Sequence, residues 1–256
     1  RQIIRPHQSM ICSGRVDLAP YITGMGKVRM RNKLFALALI IALIGFTTPV
    51  AVHDAKAASC TREGLPSVQV TVEISPVHTN TTQNLAQLTG RDNNTRLGIM
   101  DGHHVGGLTV GDIQAQTQIG FGESTGFFTG NTCLWINSLV IQLSLQSRIF
   151  VAKELQRGTC EYRILLEHEQ KHVQIDRNVV NEYRRLIEAH LESELLQQGA
   201  AGPVPFRLAP DLQRDLTGQV SGLVDQQMRK LYAERDRRQQ ALDNPQEYER
   251  MSMACL

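Results

Sequence analysis

The chain has 256 residues, of which 41% are hydrophobic and 20% are charged, with 27 basic and 25 acidic side chains. Residues 1–57 hold eight of the basic and two of the acidic residues, so the remainder carries 19 basic and 23 acidic side chains and a net charge of −4. This acidic excess argues against nucleic-acid binding, which needs a basic surface. The remaining length is sufficient for one domain with a substantial core.

The N-terminal part has the order of a secretory signal peptide. After Met30 come a basic stretch, an apolar run over residues 34–46 and an Ala-Lys-Ala sequence that ends at Ala57. The run is shorter than the 20 or so residues that a membrane span needs. We therefore predict a signal peptide over residues 30–57, no stable membrane span after its cleavage, and a periplasmic or secreted protein; an uncleaved anchor is the alternative. Residues 1–29 are predicted to be an upstream start-site extension with no role in the fold.

Four cysteines follow the predicted cleavage site, and an even number in an exported chain predicts two disulfides. Four cysteines permit three connectivities. We predict Cys133–Cys160, which would join the start of a strand to the start of a helix, and Cys60–Cys255, which would connect the two ends of the exported chain.

Alternating apolar and polar residues predict strands in the first half of the exported chain. The clearest alternation covers residues 68–74 and 113–119. Two further β-rich runs at residues 133–145 and 148–155 are separated by a predicted turn at 146–147. These consecutive strands predict a small antiparallel sheet.

The pattern becomes helical after Cys160. Apolar residues recur at three- and four-residue steps, and glycine and proline are absent from residues 159–198. A glycine- and proline-rich break follows, then a second helix over about residues 208–242 that packs on the first, and a polar tail predicted to be irregular. Strands followed by helices predict a single α+β domain over residues 58–256 with a zincin-like layout.

The most specific motif of the sequence lies in the first of these helices. His168-Glu169-Gln170-Lys171-His172 reads H-E-x-x-H. Residues four apart share one face of a helix, so the two histidines can bind one zinc ion with Glu169 beside it as general base. The motif predicts a zinc metallopeptidase; a zinc hydrolase of cell-wall peptides or amides would share the same site. The alternative is a non-catalytic envelope binding protein whose histidines line a packed seam or hold a vestigial or structural metal.

A catalytic zinc site needs a third protein ligand besides two histidines. His103 and His104, in a glycine-flanked loop, are candidates. Glu192 follows His172 by twenty residues and could bind only if the helix turned back. Asp176, one turn after His172, is predicted to support that histidine from outside the metal site by accepting its other ring N–H.

The segment from Ile164 to Asp176, ILLEHEQKHVQID, resembles the motif segment of the bacterial predicted secreted zinc-dependent proteases, a zincin-like family. In that family an apolar stretch leads into H-E-Q-x-H, and an isoleucine follows three residues later. The resemblance rests on the chain from Cys160 to Tyr183 and on the strands-then-helix layout. It implies an exported zinc metallopeptidase that acts on peptides or proteins, and it leaves the third ligand open.

Overall fold

The computed structural model describes residues 59–91 and 105–256, together with the two-residue strand Met10–Ile11. The predicted signal peptide, nearly all of the predicted upstream extension, and the ligand candidates His103 and His104 lie outside the described residues.

The described residues form a mixed α/β fold, which confirms the predicted combination of a sheet with helices. The elements are, in chain order, β1 (Met10–Ile11), β2 (Ser67–Ile74), β3 (His78–Asn80), α1 (Leu85–Arg91), β4 (Gly107–Thr125), β5 (Asn131–Val151), α2 (Cys160–Gln198), β6 (Ala201–Pro205), a short 3-10 helix (Phe206–Leu208), α3 (Ala209–Leu242) and α4 (Pro245–Met253).

The sheet is built around the long strand β5. One edge of β5 pairs with β4 in antiparallel orientation along nearly its whole length. The other edge pairs with β6 in antiparallel and with β2 and β3 in parallel orientation, and β1 runs parallel to β4. The predicted antiparallel sheet is therefore wrong for β2. Alternation of apolar residues specifies which face of a strand is buried but not the direction of its neighbour.

The predicted turn at residues 146–147 is also wrong, because β5 continues unbroken through it. Gln146 pairs with Asp112, and Ser147 pairs with Gly111. Gln146 lies on the solvent-exposed face of the strand, where a polar residue is expected within a continuous strand. Two adjacent polar residues therefore resembled a turn without forming one.

Helix α2 has the boundaries that the sequence predicts. Its first turn is capped by Thr159, whose hydroxyl accepts a hydrogen bond from the Tyr162 N–H at 3.2 Å. It ends at Gln198, and Gly199 follows with a positive φ of 67°, which suits glycine at a helix C-terminus. The buried face of α2 packs with α3 over the sheet, against apolar β5 side chains such as Leu139 and Leu143.

The tail predicted to be irregular is helix α4. Asn244 caps it by accepting a hydrogen bond from the Glu247 N–H at 2.9 Å, and Pro245 occupies the first helical position, where its missing N–H needs no partner. Among the described residues no helix is long and apolar enough to cross a membrane.

Two disulfides are present among the described residues, as predicted, but their pairing differs from the prediction. Cys60 is joined to Cys133, and Cys160 is joined to Cys255. The second bond forms because α4 brings the chain end back to the start of α2, an arrangement that cysteine spacing alone does not reveal. Two disulfides are typical of an oxidising, extracytoplasmic compartment.

Candidate metal centre

The H-E-x-x-H motif lies on the buried face of α2. His168, Glu169 and His172 are each fully buried, and so is Asp176 one turn later. The spacing of these residues places them on one side of the helix. This side is covered by β4 and by the C-terminal half of α3, so the motif forms part of the protein interior.

Asp243 joins the two motif histidines to form a three-residue cluster. Its Oδ1 lies 3.2 Å from His168 Nε2 and 3.0 Å from His172 Nε2, and the two Nε2 atoms are 3.0 Å apart. Tetrahedral zinc with bonds of about 2.0–2.1 Å has ligand atoms roughly 3.3 Å apart. One carboxylate oxygen and two imidazole nitrogens thus lie at nearly the separation that a single metal ion requires.

Asp243 is a ligand candidate that the sequence analysis missed, and the alternative Glu192 is wrong. Helix α2 runs without interruption to Gln198, so Glu192 lies more than five turns beyond His172 and is exposed to solvent. Asp243 instead follows the last residue of α3, at the end of a different element.

The antiparallel register of α2 and α3 brings this cluster together. Arg235 and Gln239 on α3 and Asp243, which directly follows that helix, succeed one another at four-residue steps and face α2. Arg235 contacts Asp176, Gln239 contacts His172, and Asp243 contacts both histidines. Each of these three positions therefore contributes one polar side chain that contacts a polar residue of α2.

The second ring nitrogen of each histidine faces an oxygen acceptor. His172 Nδ1 contacts Gln239 Oε1, and His168 Nδ1 lies 3.5 Å from Glu247 Oε1. Glu247 is held in place by Lys171 at 2.7 Å and by Arg250. Such outer partners are typical of metal-binding histidines, because they place the ring proton on one nitrogen and leave the other available as a ligand.

Asp176 does not contact the His172 ring, so the predicted direct support is wrong. Its carboxylate accepts hydrogen bonds from Arg235 and from Gln239 Nε2, and Gln239 in turn contacts the ring. Asp176 lies one helical turn after His172, and the Gln239 side chain bridges the Asp176 carboxylate and the His172 ring.

The two carboxylate oxygens of Glu169 differ in their hydrogen bonding. Oε2 accepts a hydrogen bond from the Thr109 hydroxyl of β4 at 2.7 Å. Oε1 is buried and has no hydrogen-bond partner among the described residues. A Cβ at Gly107 would lie 2.6 Å from this Oε1, so the glycine permits the close approach of strand and helix. A buried carboxylate oxygen without a partner is a feature that calls for a functional explanation.

The charges of the cluster are strongly coupled. Burial raises the pKa of Glu169, against the opposing effects of the His172 and His168 charges. Burial alone would lower the pKa of His172, but its hydrogen bond to Asp243 and the charges of Asp243 and Glu169 raise it to about 9. Burial alone would raise the pKa of Asp243, but its hydrogen bonds from His168 and His172 lower it to about 2. A metal ion fits this site because its positive charge would take the place of the histidine proton.

No family model, curated protein or solved structure matches this chain. The fold and the site together define a mixed α/β protein with a buried His-His-Asp cluster that could hold a metal ion. The resemblance to secreted zinc-dependent proteases stays a prediction from the motif segment.

Proposed function

We propose that this protein is an exported, zinc-dependent hydrolase that cleaves peptide bonds in the bacterial envelope or outside the cell. The observation that carries the proposal is the combination of three converging donor atoms with a neighbouring carboxylate oxygen that has no hydrogen-bond partner in the described part of the chain. His168, His172 and Asp243 would hold the ion, and Glu169 would act as general base. Two imidazoles and one carboxylate suit zinc, and three protein ligands are typical of catalytic zinc sites.

Zinc bound there would supply a Lewis acid that polarises a carbonyl group and makes water more acidic. The role of Glu169 follows from its surroundings. The Thr109 hydroxyl holds Oε2, which orients the carboxylate and leaves Oε1 to accept a proton. Burial raises the pKa of Glu169, so the carboxylate is a stronger base than one in water. The same oxygen can then deliver that proton to the departing amine.

A second candidate function is supported by the burial of the site. Both histidines and Glu169 are fully buried, whereas a peptidase must admit a peptide to these groups. A non-catalytic envelope protein that uses a metal ion to join α2 and α3 needs no such access. The two candidates share the metal and differ in the role of Glu169.

The test is zinc content and peptide hydrolysis measured on the same preparations. Wild type, His168→Ala/His172→Ala and Glu169→Gln are compared by elemental analysis and with a mixture of quenched fluorescent peptides. His190→Ala and Glu192→Gln are the matched controls, because both residues lie on α2 away from the cluster.

About one zinc per chain, lost only in the double histidine variant, is expected. Hydrolysis by wild type that is lost in Glu169→Gln with zinc retained would support the peptidase. Bound zinc without hydrolysis in any preparation would favour the binding protein. Zinc-free wild type that takes up no added zinc would contradict both.

A further inference from the structure

We propose that the buried ion pair of Asp176 and Arg235 is a positioning device that makes His172 present Nε2, and not Nδ1, to the metal. The pair acts through the side-chain amide of Gln239. The consequence for metal binding rests on the proposed function, whereas the chain of hydrogen bonds rests on the geometry of α2 and α3.

The ion pair fixes the plane of the Asp176 carboxylate. Arg235 Nε donates to Oδ1 at 2.7 Å, and Nη2 donates to Oδ2 at 3.1 Å. Both side chains are fully buried. A two-pronged contact between a planar guanidinium and a planar carboxylate restricts rotation of both groups. Because each carboxylate oxygen faces an N–H donor of Arg235, both oxygens act as hydrogen-bond acceptors.

The orientation of the Gln239 amide follows from that restriction. Its Nε2 donates to Asp176 Oδ1 at 2.5 Å and to the His172 carbonyl oxygen at 3.1 Å. A reversed amide would place Oε1 against two oxygen acceptors, which leaves no hydrogen bond on that side. The donor and acceptor pattern therefore determines which end of the amide faces the histidine ring.

The Oε1 atom of Gln239 therefore faces His172 Nδ1, and as a carbonyl oxygen it can only accept a hydrogen bond. Nδ1 must carry a proton, whether the ring is neutral or charged. The nitrogen whose lone pair is available to a metal ion is therefore Nε2, which lies 3.0 Å from Asp243 Oδ1. An amide free to reverse would allow the other tautomer, whose lone pair points away from His168 and Asp243.

Strand β4 leaves the space that this ion pair occupies. A Cβ at Gly111 would overlap Asp176 Oδ2 and would lie 2.6 Å from Arg235 Nη2. Glycine at this position therefore permits a charged pair to lie between two helices and a strand. In this position the Asp176 carboxylate can contact both Arg235 and Gln239, and Gln239 contacts the proposed metal ligand His172.

The experiment replaces the ion pair with apolar side chains and leaves Gln239 unchanged. Exchange of a buried ion pair for apolar residues of similar size is often neutral for stability, so Asp176→Leu/Arg235→Met is expected to fold. Zinc affinity is measured by competition with a chelator. The ligating nitrogen of His172 is identified by NMR of the zinc-loaded protein with 15N-labelled histidine.

The matched control is Glu182→Gln/Arg238→Gln. This second ion pair also joins α2 to α3, with 2.7 Å between Glu182 Oε2 and Arg238 Nη2, but it lies nearer the surface. We expect the dissociation constant for zinc to rise about 10- to 100-fold in Asp176→Leu/Arg235→Met, the range typical of lost outer partners. The control should stay within twofold of wild type.

Two further variants cover the case in which the double substitution does not fold. Gln239→Met keeps the side-chain length without the amide donor and the carbonyl acceptor, and Gly111→Ala displaces Asp176 without removing a charge. Both are expected to weaken zinc binding and to give a mixture of His172 tautomers. Wild-type affinity in the variants that fold, or zinc bound through His172 Nδ1 in wild type, would overturn the proposal.

A different outcome is expected if the proposed metal site does not bind zinc at all. If wild type binds no zinc, the proposed function fails, and the ion pair is tested on the metal-free protein at a pH at which 15N NMR shows the His172 ring to be neutral. The positioning role would be supported if the His172 proton lies on Nδ1 in wild type and exchanges between Nδ1 and Nε2 in Asp176→Leu/Arg235→Met. A proton on Nε2 in wild type would refute it.

Discussion

Gly107 provides the sharpest test of the way in which β4 holds Glu169, the proposed general base. Substitution by alanine would place a Cβ 2.6 Å from Glu169 Oε1 and 3.0 Å from Leu165 Cδ1. Both neighbours are buried, with exposed fractions of 0% and 4%, so neither can swing into solvent. The helix or the strand must shift, or the Glu169 side chain must leave its contact with Thr109.

The expected loss of stability can be estimated from comparable core substitutions. An added methyl group in a well-packed interior destabilises a protein by about 1–3 kcal/mol. For a domain of about 200 residues this corresponds to a fall in melting temperature of roughly 2–12 °C. The three atoms nearest to the added Cβ belong to Glu169 and Leu165, and not to the proposed ligands His168, His172 and Asp243. Zinc content should therefore remain near that of wild type, whereas peptide hydrolysis should fall at least about tenfold because the proposed base is displaced.

The assay is thermal unfolding followed by circular dichroism, with zinc content and peptide hydrolysis measured on the same samples. Gly222→Ala is the control, because Gly222 lies exposed on α3 with nothing near its absent Cβ. Alanine in a helix is favoured over glycine, so the control should gain about 0.5–1 kcal/mol. A Gly107→Ala protein that melts at the wild-type temperature and hydrolyses peptides at the wild-type rate would refute the described packing of Glu169 against β4.

Three other predictions test the ligand set, the support of the base and the second disulfide. Asp243→Asn should raise the dissociation constant for zinc by roughly 100-fold or more, beyond the effect of losing an outer partner; unchanged affinity in a chelator competition would exclude Asp243 as a ligand. Thr109→Val removes a buried hydrogen bond to a carboxylate, so the free energy of unfolding in urea should fall by about 1.5–3 kcal/mol, and an unchanged midpoint would contradict that contact. Cys160→Ser/Cys255→Ser opens a bond between residues 95 apart, which should destabilise the protein by about 4–5 kcal/mol on the chain-entropy model; melting at the wild-type temperature would contradict the assigned pairing.

Local signals in the sequence predicted α2 and its motif correctly. The cap residue, the four-residue repeat of buried positions and the glycine at the C-terminus all act within a few residues of one another. The position of Asp243 depends instead on the register between α2 and α3, which no local pattern specifies.

A signal for the third ligand was nevertheless present in α3. The apolar stripe of that helix passes through Val224, Met228 and Leu231, and its next positions on the same face are Arg235 and Gln239. Polar residues that continue a buried stripe must find polar partners, because an unpaired polar group in the interior is costly. The partners available on the predicted neighbour were the polar residues of the motif. This reasoning leads to Asp243 one further turn along.

The strand directions and the disulfide pairing could not be predicted for a related reason. The alternation in β2 identifies its buried face, and this face is the same for a parallel or an antiparallel neighbour. Cys255 reaches Cys160 because α4, after Asn244, continues along α2 towards the first turn of that helix. Both outcomes depend on packing between segments that are distant in sequence.

Glu169 is the residue that decides between a peptidase and a metal-binding protein. A structural zinc site is typically closed by four protein ligands, whereas the described residues provide three donors and a separate carboxylate. If the metal served only to join the helices, nothing would require Glu169 Oε1 to lie buried without a partner, and glutamine should be tolerated there. A general base has that requirement, since the oxygen must be available for a proton. The complete burial of the site argues in the opposite direction, so zinc binding by itself cannot distinguish the two functions and the effect of Glu169→Gln on hydrolysis can.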